Sequence, residues 1–333
     1  MKRLAIGAAI ALLLAAAAMS AYWAWAAHRF GQAVAQTAED LRAQGYQVAY
    51  LEPQVTGFPF DLNARLEDGA VERPGGPSWR GPTIDGRLWL LDPTRIEIAF
   101  PGDHKIATAR EVIDASFVGA EAEILLDGSF QPAELHTELV GIVLSAEGRP
   151  EVTAAGVLAQ LGPWQAATAD QLQTIDLRFQ VSDLGIPPGQ FAALGRIIES
   201  LSGDVTLHGP LRGGNLADAL VLWRADGGHL EVRVFALTWG PLSLVVKGDL
   251  ALDPQGRPKG QLMVQASGLP ETLDLLEQAQ LLKPDQLKNA RTALKAYAKI
   301  PGQSEQQATF PLNLKQGRVF LGFLPLGRLS PVL

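Results

Sequence analysis

Between His229 and Leu252 the chain alternates apolar and polar residues in two runs, HLEVRVFALTW and LSLVVKGDLAL, separated at Trp239-Gly240-Pro241. A period of two is the mark of a strand with one oily and one wet side. On this reading Leu230, Val232 and Val234 share one face, Leu242, Leu244, Val246, Leu250 and Leu252 form the next row, and Leu262, Val264 and Ala266 follow. The joints WGPL and DPQGRPKG are too short for a parallel crossover, so these strands are expected to pair antiparallel as a meander.

The same period recurs upstream. Tyr46, Val48 and Tyr50 alternate, and VTGFPFDLNARL turns at Gly57 and Pro59 before resuming with Phe60, Leu62 and Ala64. Further runs carry Ile96, Ile98 and Phe100, then Ala122, Ile124 and Leu126, then Ile175, Leu177, Phe179 and Val181. In the last of these the opposite side holds Thr174, Asp176, Arg178, Gln180 and Ser182, a half-wetted strand. Helical spacing is rarer. It covers Phe30, Val34, Ala38 and Leu41 ahead of Gly45, predicts a helix over 187–201 from Phe191, Leu194, Ile197, Ile198 and Leu201, and predicts a helical hairpin over 270–299 split at Lys283-Pro284.

The N-terminus shows a third pattern, Lys2 and Arg3 followed by an uncharged stretch from Leu4 to Ala27. That length spans a hydrocarbon core of roughly 30 Å as a helix, and Tyr22, Trp23 and Trp25 stand where interfacial aromatics lie. The basic end then stays cytoplasmic and the bulk of the chain is exported, held at the inner membrane. The alternative is a cleaved signal peptide, because Leu4 to Ala18 fits its apolar core and Ala24-Trp25-Ala26 is a small-x-small triplet. Cleavage would leave a soluble periplasmic protein. The expected organisation is a signal anchor or signal peptide at 1–27, a stalk helix at 28–45, an N-terminal β-rich half at 46–185 and a C-terminal β-rich half at 186–333. The expected fold class is mainly β, formally α+β. It is either an extended curved antiparallel sheet or two stacked β-rich halves, with a few covering helices and a preceding membrane helix.

Composition sharpens this picture. Hydrophobic residues make up 47% and charged residues 19%, which disfavours disorder, and Gly 34 with Pro 22 suits many short strands and turns. A formal charge of −7 with no basic patch argues against nucleic acid as a partner. There is no cysteine, so disulfides, thiolate nucleophiles and cysteine metal sites are excluded. His28, His104, His136, His208 and His229 stand singly with no metal spacing among them, and His104 in a turn and His208 and His229 on strands are expected at the solvated surface. No GxSxG, HExxH, P-loop or GxGxxG motif occurs, and Glu121 and Glu123 read as a solvated strand edge. No catalytic residue, metal or cofactor is expected.

TGFPFDL from Thr56 to Leu62, GGHLEVRVFALTWGPLSLVVKGDLALDPQGRPKGQLMVQASGL, and the closing GRVFLGFLPLGRLSPVL, taken with the N-terminal membrane segment, resemble the DUF2125 family. Its motif positions are Gly57, Phe58, Pro59 and Phe60, with Trp239, Gly240 and Pro241. The resemblance implies a proteobacterial envelope protein without an assigned biochemical role. The strand-and-turn phrasing is more distantly similar to AsmA-like envelope proteins, which implies curved sheets concerned with phospholipid movement or outer-membrane assembly. With reactive groups absent, the apolar face is the functional candidate. Leu230, Val232, Val234, Leu242, Leu244, Val246, Leu262 and Val264 would line a trough for phospholipid acyl chains, or else fill a closed sandwich core. The alternative function is a structural module that binds an envelope protein through a sheet edge or the amphipathic helices around Leu273 to Tyr297.

Overall fold

The computed structural model describes residues 2–332 apart from 109–110, 166–172, 188–192, 211–215, 302–303 and 322–323; within helices and strands it leaves the side chains of 2–12, 164–165, 216–217, 286, 293, 321 and 324–326 undescribed. The chain is mainly β and divides into two units. Unit 1 comprises Met1–Pro132 with Thr137–Arg149, and unit 2 comprises Ala133–His136 with Pro150–Leu333. A break after residue 185 would cut through strands that are paired along their length, so the division falls at Arg149 instead.

Unit 1 contains α1 (Lys2–Ala43), β1 (Gln47–Ala49), β2 (Gln54–Thr56), β3 (Asp61–Glu72), β4 (Ser78–Trp89), β5 (Asp92–Ala99), β6 (His104–Ala107), β7 (Val112–Ser116), β8 (Gly119–Leu126) and most of β9 (Pro132–Ala146). All pairs are antiparallel: β3 takes β1, β2 and β4, while β4 takes β5 and β6, β5 takes β8, and β7 takes β6 and β9. The register sets Leu62, Ala64 and Leu66 opposite Leu88, Gly86 and Ile84, and continues the row through Ile96, Ile98, Ala122 and Ile124. The other side carries ion pairs, Arg65–Asp85 at 2.7 Å and Arg95–Glu123 at 2.9 Å.

The segments expected as membrane helix and stalk form one continuous helix, α1, with no break at residue 27. One stripe of it lies on the oily side of unit 1, where Ala26 joins Leu62, Ala64 and Leu90 in a buried cluster flanked by Trp23, Ala27, Phe30, Val55 and Leu88. The Trp23 indole Nε1 donates to the Asp61 carbonyl at 2.8 Å, and Arg42 donates to the Val48 carbonyl at 2.9 Å near the helix end. Among the described residues no helix is long and apolar enough to cross a membrane.

Unit 2 contains β10 (Val152–Gln165), β11 (Thr174–Gly185), β12 (Ile197–His208), α2 (Leu216–Ala225), β13 (His229–Trp239), β14 (Leu242–Leu252), β15 (Pro258–Ser267), α3 (Leu269–Gln278), α4 (Pro284–Tyr297), β16 (Gln307–Lys315), β17 (Arg318–Leu321) and β18 (Leu324–Arg328). Each strand pairs antiparallel with the next in sequence. The helix expected over 187–201 is corrected: Ile197 to Leu201 open β12, and 188–192 lie outside the described residues. The period of two wins there because Leu201, Val205 and Leu207 alternate with Ser200, Ser202, Asp204 and Thr206. Gly203 occupies the intervening apolar slot because the Phe179 ring lies over it, leaving no room for a side chain.

The β14–β15 turn shows how sequence fixes a joint. Asp253 accepts from the backbone N–H groups of Gln255 (2.9 Å) and Arg257 (3.0 Å) and from the Arg257 guanidinium, while Gly256 takes the left-handed conformation at φ 71°. That is the local pairing by which a short acidic side chain closes a turn.

Candidate functional site

Register alone assembles the apolar face of unit 2, since directly paired residues of an antiparallel sheet point to the same side. From β10 to β17 the rows run through Leu161, Leu177 and Val205, through Phe179 and Gly203, and through Leu207, Leu230 and Leu250. They continue through Leu237, Leu244, Ala266 and Ala308, through Phe235, Val246, Val264 and Phe310, and through Gly248, Leu262 and Leu312. The opposite side of the same strands carries Asp176, Arg178, Gln180, Asp204, Thr206, Glu231, Asp249, Gln261 and Asn313. One sheet therefore presents a hydrocarbon wall and a hydrated wall.

The structure brings together seven of the eight residues expected to face lipid: Leu230, Val232, Leu242, Leu244, Val246, Leu262 and Val264. Val234 is the correction. Arg233 is an extra residue in β13, so Val232 pairs with Val205 while Val234 pairs with Asp204 on the wet side, and Phe235, Leu237 and Trp239 take over the apolar face. A bulge of this kind reverses the alternation beyond it. Strand β16, which is not among the strands expected from sequence, carries the same period as its neighbours in Phe310, Leu312 and Leu314.

The bulge is pinned from the wet side. Arg233 donates to Asp204 (2.9 Å from Nε), to Asp176 (3.1 Å) and to the Thr206 hydroxyl (2.7 Å), and Thr206 donates to Asp176 at 2.6 Å. Burial pushes the Asp176 carboxyl up, but the Thr206 hydrogen bond and the Arg233 charge outweigh it and hold the group below its ordinary value. A depressed folded-state pKa contributes stability above the unfolded value, and that contribution is lost as pH falls through the folded one. Asp176→Asn is therefore expected to lower the stability of unit 2 at pH 7 and to flatten its decline in acid below about pH 4. Urea midpoints measured from pH 7 to pH 3 check this.

Burial differs along the apolar wall. Ala266 is fully covered, and Val232, Val264 and Ala308 are buried, while Leu230, Leu244, Val246, Leu262 and Phe310 are only half-buried. Helix α3 packs against β14, and α4 reaches Phe310 of β16. Gly268 caps α3 directly after β15, Thr272 donates to the Gly268 carbonyl at 2.7 Å, and the Tyr297 ring meets Phe310 edge-on at 6.0 Å. No large side chain is fully buried among the described residues.

The motif residues lie at turns. Gly57 has φ 100° and Asp61 N–H closes onto its carbonyl at 2.9 Å, with a cis Phe58–Pro59 bond between them and Phe58 edge-on to Trp23 at 5.9 Å. Trp239 donates from Nε1 to the Gly195 carbonyl at 3.0 Å, Gly240 N–H donates to Glu199 at 3.0 Å, and Pro241 completes the β13–β14 turn.

His104, His208 and His229 depart from the solvated positions expected of them. His104 is 3% exposed, hydrogen-bonds the Phe100 carbonyl at 3.1 Å and stacks on Trp79. His208 and His229, neighbours across β12 and β13, stack with ring centres 4.2 Å apart, and His208 also meets Glu231 at 3.2 Å. Sequence separation hid this pair, which only strand register brings together. Among the described residues no group of three or more His, Cys, Asp or Glu could hold a metal.

No curated protein and no solved structure matches the chain. Residues 23–330, from the tryptophan that docks α1 to the last strand and its flank, match the bacterial family described as "Uncharacterized protein conserved in bacteria (DUF2125)", and the chain belongs to that family.

Proposed function

We propose that the protein is a non-enzymatic envelope component, held at the inner membrane by its N-terminal helix, whose unit 2 shields lipid acyl chains on its apolar wall. The observation that carries the reading is the apolar face across β10 to β17, most of whose rows are only half-buried. A transfer free energy of about 0.8 kcal/mol per methylene makes the water exposure of a two-chain lipid cost tens of kcal/mol, so passage between membranes requires a continuous hydrocarbon lining. Seven contiguous strand pairings at roughly 4.8 Å spacing give such a lining a width of roughly 34 Å, longer than an extended acyl chain. The reading needs no metal, cofactor or nucleic acid.

The test is photo-crosslinking in proteoliposomes that contain phospholipid with a diazirine in the acyl chain. Adducts are expected on peptides carrying Leu177, Leu207, Leu230 and Leu244, at those side chains and not at the wet-side residues between them. Lipid-free preparations that instead retain a protein at fixed stoichiometry would favour the interaction module and defeat the trough.

A further inference from the structure

The uncharged N-terminal run and the oily side of unit 1 meet at one end of the sheet, and the exposed residues there form a set. Helix α1 runs alongside β3: Trp23 is bonded to Asp61 at the start of that strand, and Arg42 to Val48, which pairs with Val71 near its finish. The lengths agree, since 19 steps of helix cover roughly 29 Å and the 10 steps of strand from Asp61 to Val71 roughly 34 Å. The part of α1 before Tyr22 therefore projects beyond the Asp61 end of the sheet. That end is formed by the Gly57–Phe60 turn, the start of β3 and the β4–β5 turn at Leu90 and Leu91.

Six large apolar side chains stand exposed around this point. Tyr22, Trp25, Phe58, Phe60, Trp89 and Leu91 are each between 39% and 63% exposed. Four of them are linked directly or through Trp23 and Leu90, and Trp89 and Leu91 flank Leu90 in the chain. Tyr22 stacks on Trp25 with centroids 6.0 Å apart, its hydroxyl reaches the Leu90 carbonyl at 3.5 Å, Phe58 abuts Trp23, and Leu90 N–H donates to the Phe60 carbonyl at 2.9 Å. Exposed apolar groups of this size gathered at one place mark an interaction surface, and aromatic rings with a polar handle are the chemistry of the membrane–water interface. Continuity with the uncharged run selects that partner over a protein. Leu4 to Tyr22 is 19 residues, roughly 28 Å of helix, which matches a hydrocarbon core of about 30 Å and places Tyr22 and Trp25 at its boundary.

We infer that these six residues are a collar that seats unit 1 directly in the bilayer interface, with Phe58, Phe60, Trp89 and Leu91 inserted among the lipid headgroups around the emerging helix. There is then no free stalk: residues 23–42, which sequence assigns to anchor and stalk, are the buttress of the sheet. The inference rests on the membrane-anchor reading and adds the position and depth of the folded body. It also assigns a role to the family motif, because the Gly57–Phe60 turn both grips Trp23 and presents two rings to lipid.

The absence of native cysteine permits a direct test on the full-length chain, reconstituted in vesicles of phosphatidylethanolamine and phosphatidylglycerol. Single variants Leu14→Cys, Phe60→Cys, Leu91→Cys and Val118→Cys carry a nitroxide whose collisions with oxygen and with a water-soluble nickel chelate are compared. Val118 is 86% exposed at the far end of the β5–β8 pair and reports water. Labels at residues 60 and 91 are expected to collide with the chelate at least 5-fold less than the label at 118, which is roughly 1 kcal/mol of exclusion. Chelate exposure at 60 and 91 equal to that at 118, with residue 14 still oxygen-rich, overturns the collar and leaves the anchor standing. Chelate exposure at residue 14 as well overturns both. Circular dichroism of each variant confirms that these exposed positions leave the fold intact.

Discussion

Lysine in place of Ala266 is expected to leave unit 2 unfolded, whereas lysine in place of Leu177 leaves it folded and defective in lipid contact. Ala266 has no accessible surface and sits between Leu244 and Ala308, next to the Gly268 cap of α3. A lysine there must either bury its ammonium without a partner or push α3 off the sheet, and either outcome costs several kcal/mol. That is comparable with the whole stability of a domain, about 5–15 kcal/mol. Leu177 lies in the same wall, opposite Leu161 and Val205, but is only half-buried. Its lysine can run along the apolar surface and carry the charge to water, for a cost of about 1–2 kcal/mol. Far-ultraviolet circular dichroism and urea unfolding separate the two outcomes, and acyl-chain crosslinking of the folded Leu177→Lys variant reads the loss of lipid contact. Equal tolerance of both substitutions would mean that α3 and α4 do not cover the wall. Equal intolerance would mean that the wall is sealed.

Trp223→Ala is the second large effect. Trp223 is 4% exposed, its indole Nε1 donates to the His208 carbonyl at 2.8 Å, and its ring packs where Gly209 and Gly228 leave no side chain in the way. Removal opens a large cavity and takes the indole hydrogen bond from the His208 carbonyl, for a loss of about 3–5 kcal/mol. The urea midpoint of unit 2 should fall accordingly. Phe at this position fills most of the volume but lacks the N–H, so Trp223→Phe should recover more than half of the loss. The contact matters because it fastens α2 where β12 ends and β13 begins, the junction that also sets the His208–His229 stack.

The β-rich character was legible wherever a wet side alternated cleanly with an oily one. Ile175, Leu177, Phe179 and Val181 against Asp176, Arg178 and Gln180 fall within β11, and the runs around Leu244 and Val264 fall within β14 and β15. What escaped did so for identifiable reasons. In β12 the apolar row contains Gly203, whose place is filled from the neighbouring strand by Phe179, so the period of two was masked by the helical spacing of Leu194, Ile197, Ile198 and Leu201. In β13 the register change at Arg233 depends on Asp176, Asp204 and Thr206, which come from two other strands. No local window contains them. Helix α2 is ten residues whose Trp223 and Arg224 donate to the distant carbonyls of His208 and Pro254, and His104 is buried by rings from Trp79, Phe100 and Phe117. The docking of α1 was hidden for a similar reason: Trp23 and Ala26 satisfy a membrane pattern and a core pattern equally well, and only Leu62, Ala64 and Leu90 decide between them.

From β10 onward every strand of unit 2 bonds to the strand that follows it in the chain, with helices inserted but no strand skipped. Outside the two connections that carry α2 and the α3–α4 pair, loops between partners are consequently short in sequence, and the entropy lost in closing each of these is small. Such wiring lets the polypeptide zip up hairpin by hairpin in the order in which it emerges, each new β-ribbon templated by the last, without waiting for the C-terminus. It also leaves the growing edge sticky at every stage until β17 and β18 arrive, so the final short strands act as a terminator against pairing between neighbouring nascent chains.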